Sequence, residues 1–259
     1  MKKKLAIFDM DGTLLDTLDD LTSAVNHTMA QYGYPRRTRE EVRQGLGNGA
    51  VKLIAALLPE GEDTPDFDAI MRDYKAWYQA HTCVLTRPYP GVPELLERLA
   101  CRVAIVSNKP HGAACELAEK FFPGVPTFGE SPATPRKPAP DMVFHALTAL
   151  GAEKDTAVYV GDSEVDVQTA RNAGLPLIAV SWGFRGREAL AEASSQGLTT
   201  VHTYAADIWK YTEDPEDYLL LDRKGQLPLR VVIYLDTLYQ KPYLTRREMD
   251  DPYHKVCYG

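Results

Sequence analysis

The first apolar block in the chain is four residues long, Leu5-Ala6-Ile7-Phe8, and Asp9 ends it. Three lysines precede it, as at the start of a signal peptide, but four residues are far too few for the apolar core of one. The block is expected to be the first strand of the fold, with the lysines solvated outside it. A long polar stretch of mostly helical character follows, from about Leu18 to Thr86, until Pro88, Pro90, Gly91 and Pro93 break the pattern and mark a domain boundary. After them the chain alternates. Helical spacing is expected over 94–100, 112–122, 141–150 and 164–173. The β-rich runs are Val103-Ala104-Ile105-Val106, Ala157-Val158-Tyr159-Val160 and Leu177-Ile178-Ala179-Val180.

Short, nearly continuous apolar strands alternating with helices predict a parallel sheet covered on both faces. That is a doubly wound α/β domain, in which sites form beyond the C-terminal ends of the strands. The positions to inspect are therefore Asp9 to Thr13, Ser107 to Lys109 and Gly161 to Asp166. All three segments carry polar or acidic groups that a plain turn does not require.

Composition narrows the functions that such a domain can serve. With 259 residues, 44% of them hydrophobic and 25% charged, the chain can bury one large core, or a core domain plus a smaller one. A net charge of -7 argues against binding nucleic acid or an anionic membrane through bulk charge. A phosphate-bearing ligand would need local positive charge to offset that field. No apolar stretch approaches membrane-spanning length. Cys83, Cys101, Cys115 and Cys257 form no CxxC pair and no metal-ligand spacing, which suits a reducing, cytoplasmic setting.

Four short segments carry the candidate chemistry. Asp9-Met10-Asp11-Gly12-Thr13 puts two carboxylates one residue apart at a strand end: an acidic turn bent at Gly12, or a nucleophile and an acid/base on one loop. Ser107-Asn108 offers a hydroxyl and backbone amides that can hold phosphate oxygens, or that can simply begin a turn. Lys137 lies in TPRKPAPD, where the prolines restrict the backbone. It is either a solvated loop lysine or the charge that offsets a phosphate and the attacking carboxylate. In GDSEVD, Asp162 and Asp166 are four apart, near one another if a helix starts there. They either complement the helix dipole or bind a hard cation. Four carboxylates gathered at one site with no cation would repel one another strongly. A divalent metal together with Lys137 resolves that repulsion.

The ordered set DMDGTLLDT, SN, K before PAPD, and GDSEVDV resembles the haloacid dehalogenase superfamily of phosphohydrolases, over about residues 5–210. Within the intervening helical stretch, Gly47-Asn48-Gly49 and the later Thr86-to-Val92 segment TRPYPGV resemble the phosphoglycolate phosphatases. The resemblance implies a catalytic core at 1–16 and 88–211, with a small α-helical cap at 17–87. It implies that Asp9 attacks phosphorus to form an aspartyl phosphate, and that Asp11 protonates the leaving oxygen and then activates water. Ser107, Asn108, Gly12 and Thr13 would contact the phosphoryl group, and Lys137 would offset its charge. Mg²⁺ would be held by Asp9, the backbone carbonyl of Asp11, and Asp162, with Asp166 in support. The expected partner is a small phosphorylated metabolite, foremost 2-phosphoglycolate, with a homodimer left open. A phosphosugar mutase related to β-phosphoglucomutase, or a phosphatase for a sugar phosphate or pyrophosphate, are the alternatives.

The resemblance does not extend to the segment after about residue 211. There Tyr218-Leu219-Leu220-Leu221 and Leu229-Arg230-Val231-Val232-Ile233-Tyr234-Leu235 flank a polar turn containing Gly225. Two apolar, β-prone runs around such a turn predict a hairpin within an extension at 212–259.

Overall fold

In the computed structural model, which describes residues 4–185 and 200–202, the apolar run after the lysines is strand β1 (Leu5–Phe8), buried along its whole length. Strand β2 (Leu15–Asp16) follows almost at once. Four helices come next: α1 (Leu18–Gln31), α2 (Arg39–Gly45), α3 (Gly49–Leu57) and α4 (Phe67–Ala80). The chain returns through β3 (Arg87–Pro88) and α5 (Val92–Arg98) to β4 (Arg102–Pro110) and α6 (His111–Phe121). Then come β5 (Thr127–Glu130), α7 (Asp141–Ala149), β6 (Ala157–Gly161), α8 (Glu164–Ala173), β7 (Leu177–Val180) and β8 (Thr200–His202). The hairpin expected over 218–235 and the boundary expected near 211 lie outside the described residues. Among the described residues no helix is long and apolar enough to cross a membrane.

Six strands form one sheet in the order β5-β4-β1-β6-β7-β8, and every pairing in it is parallel. This is the α/β doubly wound sheet that the alternating pattern predicts. Strand β1 pairs with β4 on one side and β6 on the other. The chain therefore builds outward from β1 in one direction, returns, and builds outward in the other. Such a reversal leaves a crevice beyond the C-terminal end of the central strand.

The strands read as continuous apolar runs because both faces are covered. Successive side chains point to opposite faces. Ala6, Phe8, Ile105, Val158, Val160, Ile178 and Val180 enter one hydrophobic cluster, packed with Leu95 and Leu117 from α5 and α6. Leu5, Ile7, Ala104, Val106, Tyr159 and Leu177 enter the other, packed with Val143 and Ala170 from α7 and α8. Helices α1 to α4 close on a third cluster. It is built from residues at helical spacing, such as Leu18, Leu21 and Val25 of α1 and Ile70, Tyr74 and Tyr78 of α4, and it takes in Phe184 from the loop after β7.

The two crossings between this helical cluster and the sheet run side by side. Strands β2 and β3 pair antiparallel, Leu15 with Pro88 and Asp16 with Arg87. Buried Asp20 on α1 fixes the returning segment. Its carboxylate accepts the backbone N–H of Leu85 at 2.9 Å and of Thr86 at 2.8 Å, and the Thr86 hydroxyl at 2.7 Å. The boundaries expected at 16/17 and 87/88 fall on this ribbon.

Some edges differ from the expected ones. Strand β4 runs to Pro110, so Ser107, Asn108 and Lys109 lie on the end of the strand rather than in a turn after it. Helix α5 begins at Val92, because Gly91 in a left-handed conformation (φ +80°) and Pro93 in the first turn start it two residues early.

Candidate active site

Asp9 is the first residue beyond β1, and its backbone N–H extends the ladder by donating to the Val160 carbonyl at 2.8 Å. The central strand thus fixes its carboxylate at the crevice. Asp9 Oδ1 accepts the Met10 N–H at 2.7 Å and pairs with Lys137 Nζ at 2.7 Å. Lys137 Nζ also donates to Asp166 Oδ1 at 2.8 Å, and both side chains are buried. Asp166 accepts three further bonds: the Tyr159 hydroxyl at 3.1 Å, the Ser163 N–H at 3.1 Å and the Ser163 hydroxyl at 2.6 Å. Ser163 and Asp166 form the capping box of α8. One carboxylate therefore caps the helix and holds the lysine.

Asp162 lies before the helix, between the two loops of the site. Its Oδ1 accepts the Thr13 hydroxyl at 3.1 Å and its Oδ2 the Phe184 N–H at 2.7 Å. The packing there leaves no room for a side chain on the neighbouring backbone. A Cβ on Gly12, which has φ +88°, or on Gly183 would sit 2.3 Å from Asp162 Oδ2. Both the left-handed backbone of Gly12 and this close approach require glycine.

The electrostatics follow from three buried carboxylates around one lysine. Burial, and after it the charge of Asp166, pushes the Asp9 carboxyl well above the usual carboxylate range, although Lys137 pulls the other way. Burial and Asp166 likewise push Asp162 up to about 7. Burial opposes the charge on Lys137, but Asp166 and Asp9 outweigh it and hold its pKa well above that of a free lysine. One carboxylate oxygen from each of Asp9, Asp162 and Asp166 lies within 4.8 Å of the others. Hard oxygen donors with an excess of negative charge fit a divalent cation such as Mg²⁺. Asp9 and Asp162 have the weaker commitments, while Asp166 already holds Lys137 and the head of α8.

The Asp11 carboxylate is not part of that cluster. It is half-buried, its Oδ1 accepts the Thr17 hydroxyl at 2.7 Å, and it pairs with Lys109 Nζ at 3.1 Å. Thr17 consequently sits at the N-cap of α1 without making a side-chain cap bond. Ser107 is buried, and its Oγ accepts the Lys109 N–H at 3.2 Å. Asn108 is a bracket: its Oδ1 accepts the Lys137 N–H at 2.7 Å, and its Nδ2 donates to the carbonyls of Lys137 at 3.0 Å and Gly47 at 3.2 Å.

These groups face a pocket of about 330 Å³. The sheet side supplies Asp9, Ser107 and Lys137, and the helical side Leu46, Tyr74 and Tyr78. All nine residues picked out from the sequence are thus gathered at one end of the sheet. Two kinds of contributor had no local signal. Buried Lys109 donates to the Tyr78 hydroxyl at 2.7 Å, and its charge is held strongly by Asp11 and Tyr78 against the cost of burial. It lay within the 107–109 window but without a distinguishing motif. The other kind docks the loop after α2. Arg185 Nη2 donates to the Leu46 carbonyl at 2.6 Å, Asn108 to that of Gly47, and Arg136 Nη1 to that of Asn48 at 3.2 Å. Arg185 also donates to the carbonyls of Arg43 and Gln44, capping α2, while Arg43 donates back to the Phe184 carbonyl.

Residues 6–180 match the family model of the haloacid dehalogenase-like hydrolases. A phosphoglycolate phosphatase from Rhodobacter capsulatus is 37% identical over 191 residues, which is 69% of this chain and 84% of that protein. An N-acetylmuramic acid 6-phosphate phosphatase from Pseudomonas aeruginosa is 31% identical over 195 residues, 71% of this chain and 84% of that protein. A crystal structure of a protein assigned as a phosphoglycolate phosphatase, from Lactobacillus delbrueckii subsp. bulgaricus, superposes with a TM-score of 0.76 at 36% identity. It covers 82% of this chain and 99% of its own. The chain belongs to the haloacid dehalogenase-like hydrolases, as a phosphoric monoester hydrolase similar to the phosphoglycolate phosphatases.

Proposed function

We propose that this protein hydrolyses a small phosphate monoester, foremost 2-phosphoglycolate, through a phosphorylated Asp9, with Mg²⁺ as cofactor. The observation that carries the proposal is the placement of two differently partnered carboxylates at one pocket. Asp9 sits in the buried cluster with Lys137, Asp162 and Asp166, and Asp11 sits outside it.

Asp9 would attack phosphorus through a carboxylate oxygen, forming the acyl phosphate as the ester P–O bond breaks. Asp11, as the carboxylic acid, would give its proton to the departing oxygen. Left as a carboxylate, it would take a proton from water as that water attacks phosphorus and breaks the bond to Asp9. Inorganic phosphate leaves and both aspartates are restored. Ser107 and the amide of Asn108 would hold phosphoryl oxygens, with Gly12 and Thr13 lining the same loop. Lys137 would offset the charge gathered on the phosphoryl group and Asp9. Asp9, Asp162 and the backbone carbonyl of Asp11 would hold the metal, with Asp166 orienting Lys137 behind them. When bound, Mg²⁺ supplies charge neutralisation and orientation for the phosphoryl oxygens.

Helices α1 to α4, residues 17–87, would act as the cap. Their own hydrophobic cluster and the paired ribbon at the two crossings support a unit that rocks on β2 and β3. The substrate proposal is supported by the relatives, a phosphoglycolate phosphatase and an N-acetylmuramic acid 6-phosphate phosphatase; both names denote a phosphate ester of an acid.

Phosphate release from a panel of small phosphates, with Mg²⁺ and with chelator, tests the proposal. Stoichiometric, Mg²⁺-dependent release with 2-phosphoglycolate among the preferred substrates is expected. Release that continues undiminished in excess chelator contradicts it.

A further inference from the structure

The mechanism above leaves one buried charge in the pocket without a task. Lys109, at the end of β4, is only 5% exposed. A lysine is almost never buried unless paired, and this one is paired across the pocket. From the sheet side Asp11 Oδ1 lies 3.1 Å from its Nζ, and from helix α4 the Tyr78 hydroxyl accepts a hydrogen bond at 2.7 Å. The ammonium has three donors, and the described residues take two of them. Of the other cations that line the pocket, two are committed and one is exposed to solvent. Lys137 is held by Asp9 and Asp166, Arg185 by Glu164 and the carbonyls around the end of α2, and Lys75 is exposed on α4.

We propose that Lys109 is a specificity-determining residue, whose ammonium, with the Tyr78 hydroxyl beside it, receives a carboxylate on the leaving group. The pocket would then prefer phosphate esters of small hydroxy acids to esters of uncharged alcohols. This rests on the reading of the pocket as a phosphate-ester site and deepens it.

Two physical considerations carry the assignment. In a phosphorylated 2-hydroxy acid a single carbon separates the ester oxygen from the carboxyl group. The side chain that serves the leaving oxygen and the one that receives the carboxylate must therefore be neighbours. Asp11 and Lys109 meet that condition at 3.1 Å. Much of the helical wall is apolar, with Leu21, Leu46, Ala50 and Leu53 among its lining, and its further polar side chains, Lys75 and Gln79, are exposed. A carboxylate desolvated against such a wall is costly unless a cation meets it.

The test compares kcat/KM for 2-phosphoglycolate with that for 2-hydroxyethyl phosphate, which replaces the carboxylate by a hydroxymethyl group, in the parent, Lys109→Met and Lys109→Arg. The parent should favour 2-phosphoglycolate clearly. The ratio should fall by roughly 10- to 100-fold in Lys109→Met, the range of one hydrogen bond to a charged group, and be largely kept in Lys109→Arg. Using the ratio cancels any effect that Lys109 exerts on both esters through Asp11. A parent ratio near one, or a ratio unchanged in Lys109→Met while both rates fall together, overturns the assignment. If Lys109→Met does not fold, the parent decides alone, with p-nitrophenyl phosphate as substrate and glycolate or ethylene glycol as inhibitor. Inhibition by glycolate no stronger than by ethylene glycol overturns the assignment. Failure to release phosphate from any ester, p-nitrophenyl phosphate included, would instead sink the phosphatase proposal and this assignment with it. Release from both esters without a carboxylate preference sinks this assignment alone.

Discussion

Asp9 and Asp11 are separated by one residue and live in different surroundings. Asp9 is buried against Lys137 in a cluster of carboxylates, and Asp11 is half-exposed against Thr17 and Lys109. Paired carboxylates in contrasting environments divide the labour of nucleophile and acid/base. Asp9→Asn, which removes the charge but almost no volume, should lower kcat by at least about 1,000-fold. It should leave the melting temperature unchanged or raised, because one of the mutually repelling carboxylates is gone. Asp11→Asn should lose roughly 10²- to 10⁴-fold, the range of a lost proton donor. Steady-state phosphate release with a thermal melt of each variant checks both. The aspartates were legible in the sequence because they are consecutive with the end of an apolar strand, and Asp162 for the same reason after AVYV. Lys109 was legible only as part of a polar segment at a strand end, and Tyr78 and Arg185 not at all: their importance arises from contacts across 31 to 142 positions of chain, which no local pattern records.

At the scale of elements, the loop between α2 and α3 is one contact between the active-site segments and the helical cluster, beside that of Lys109 with Tyr78. Three successive carbonyls, of Leu46, Gly47 and Asn48, are read by Arg185, Asn108 and Arg136, and Asn108 holds the backbone of Lys137 with the same amide. Docking of this loop is thereby linked to the position of Lys137. Asn108→Ala should cost about 1–3 kcal/mol of stability, since it strips partners from the Lys137 backbone. It should raise KM and lower kcat, and both should be measured against an Asn108→Asp variant. A substitution at Asn48 tests whether this loop affects selectivity without straining the backbone, because its φ of -98° suits any side chain. Gly47 (φ +104°) and Gly49 (φ +80°) are left-handed, so replacing them tests backbone strain instead. The strands β1, β4, β6 and β7 and the helices α5 to α8 were legible because each is a run at one period, whereas α1 to α4 were legible only as one undivided helical stretch. Strand β5, TFGE, and the two-residue β2 and β3 were not, since they are too short to carry a period and exist through their neighbours.

The whole molecule sets an acidic chain, of net charge -7, to work on an anionic substrate. Lys137 and Lys109 offset that charge locally, and the proposed divalent cation, held by Asp9 and Asp162, would add to them. Added Mg²⁺ should raise the melting temperature of chelator-treated protein by relieving carboxylate repulsion. Asp162→Asn should diminish that shift. Ca²⁺, with its looser coordination, should compete for the site and inhibit turnover. An equal melting temperature with and without Mg²⁺, together with full activity in chelator, would contradict a metal site there. The central claim is that phosphate passes through Asp9, and borohydride trapping tests it most directly. Enzyme quenched during turnover is treated with borohydride, which reduces an acyl phosphate to the alcohol, and the peptide containing residue 9 is sequenced. Homoserine at position 9, absent without substrate and absent in Asp9→Asn, is the predicted result. An unmodified Asp9 in enzyme that is releasing phosphate, with the label on another residue, would contradict it.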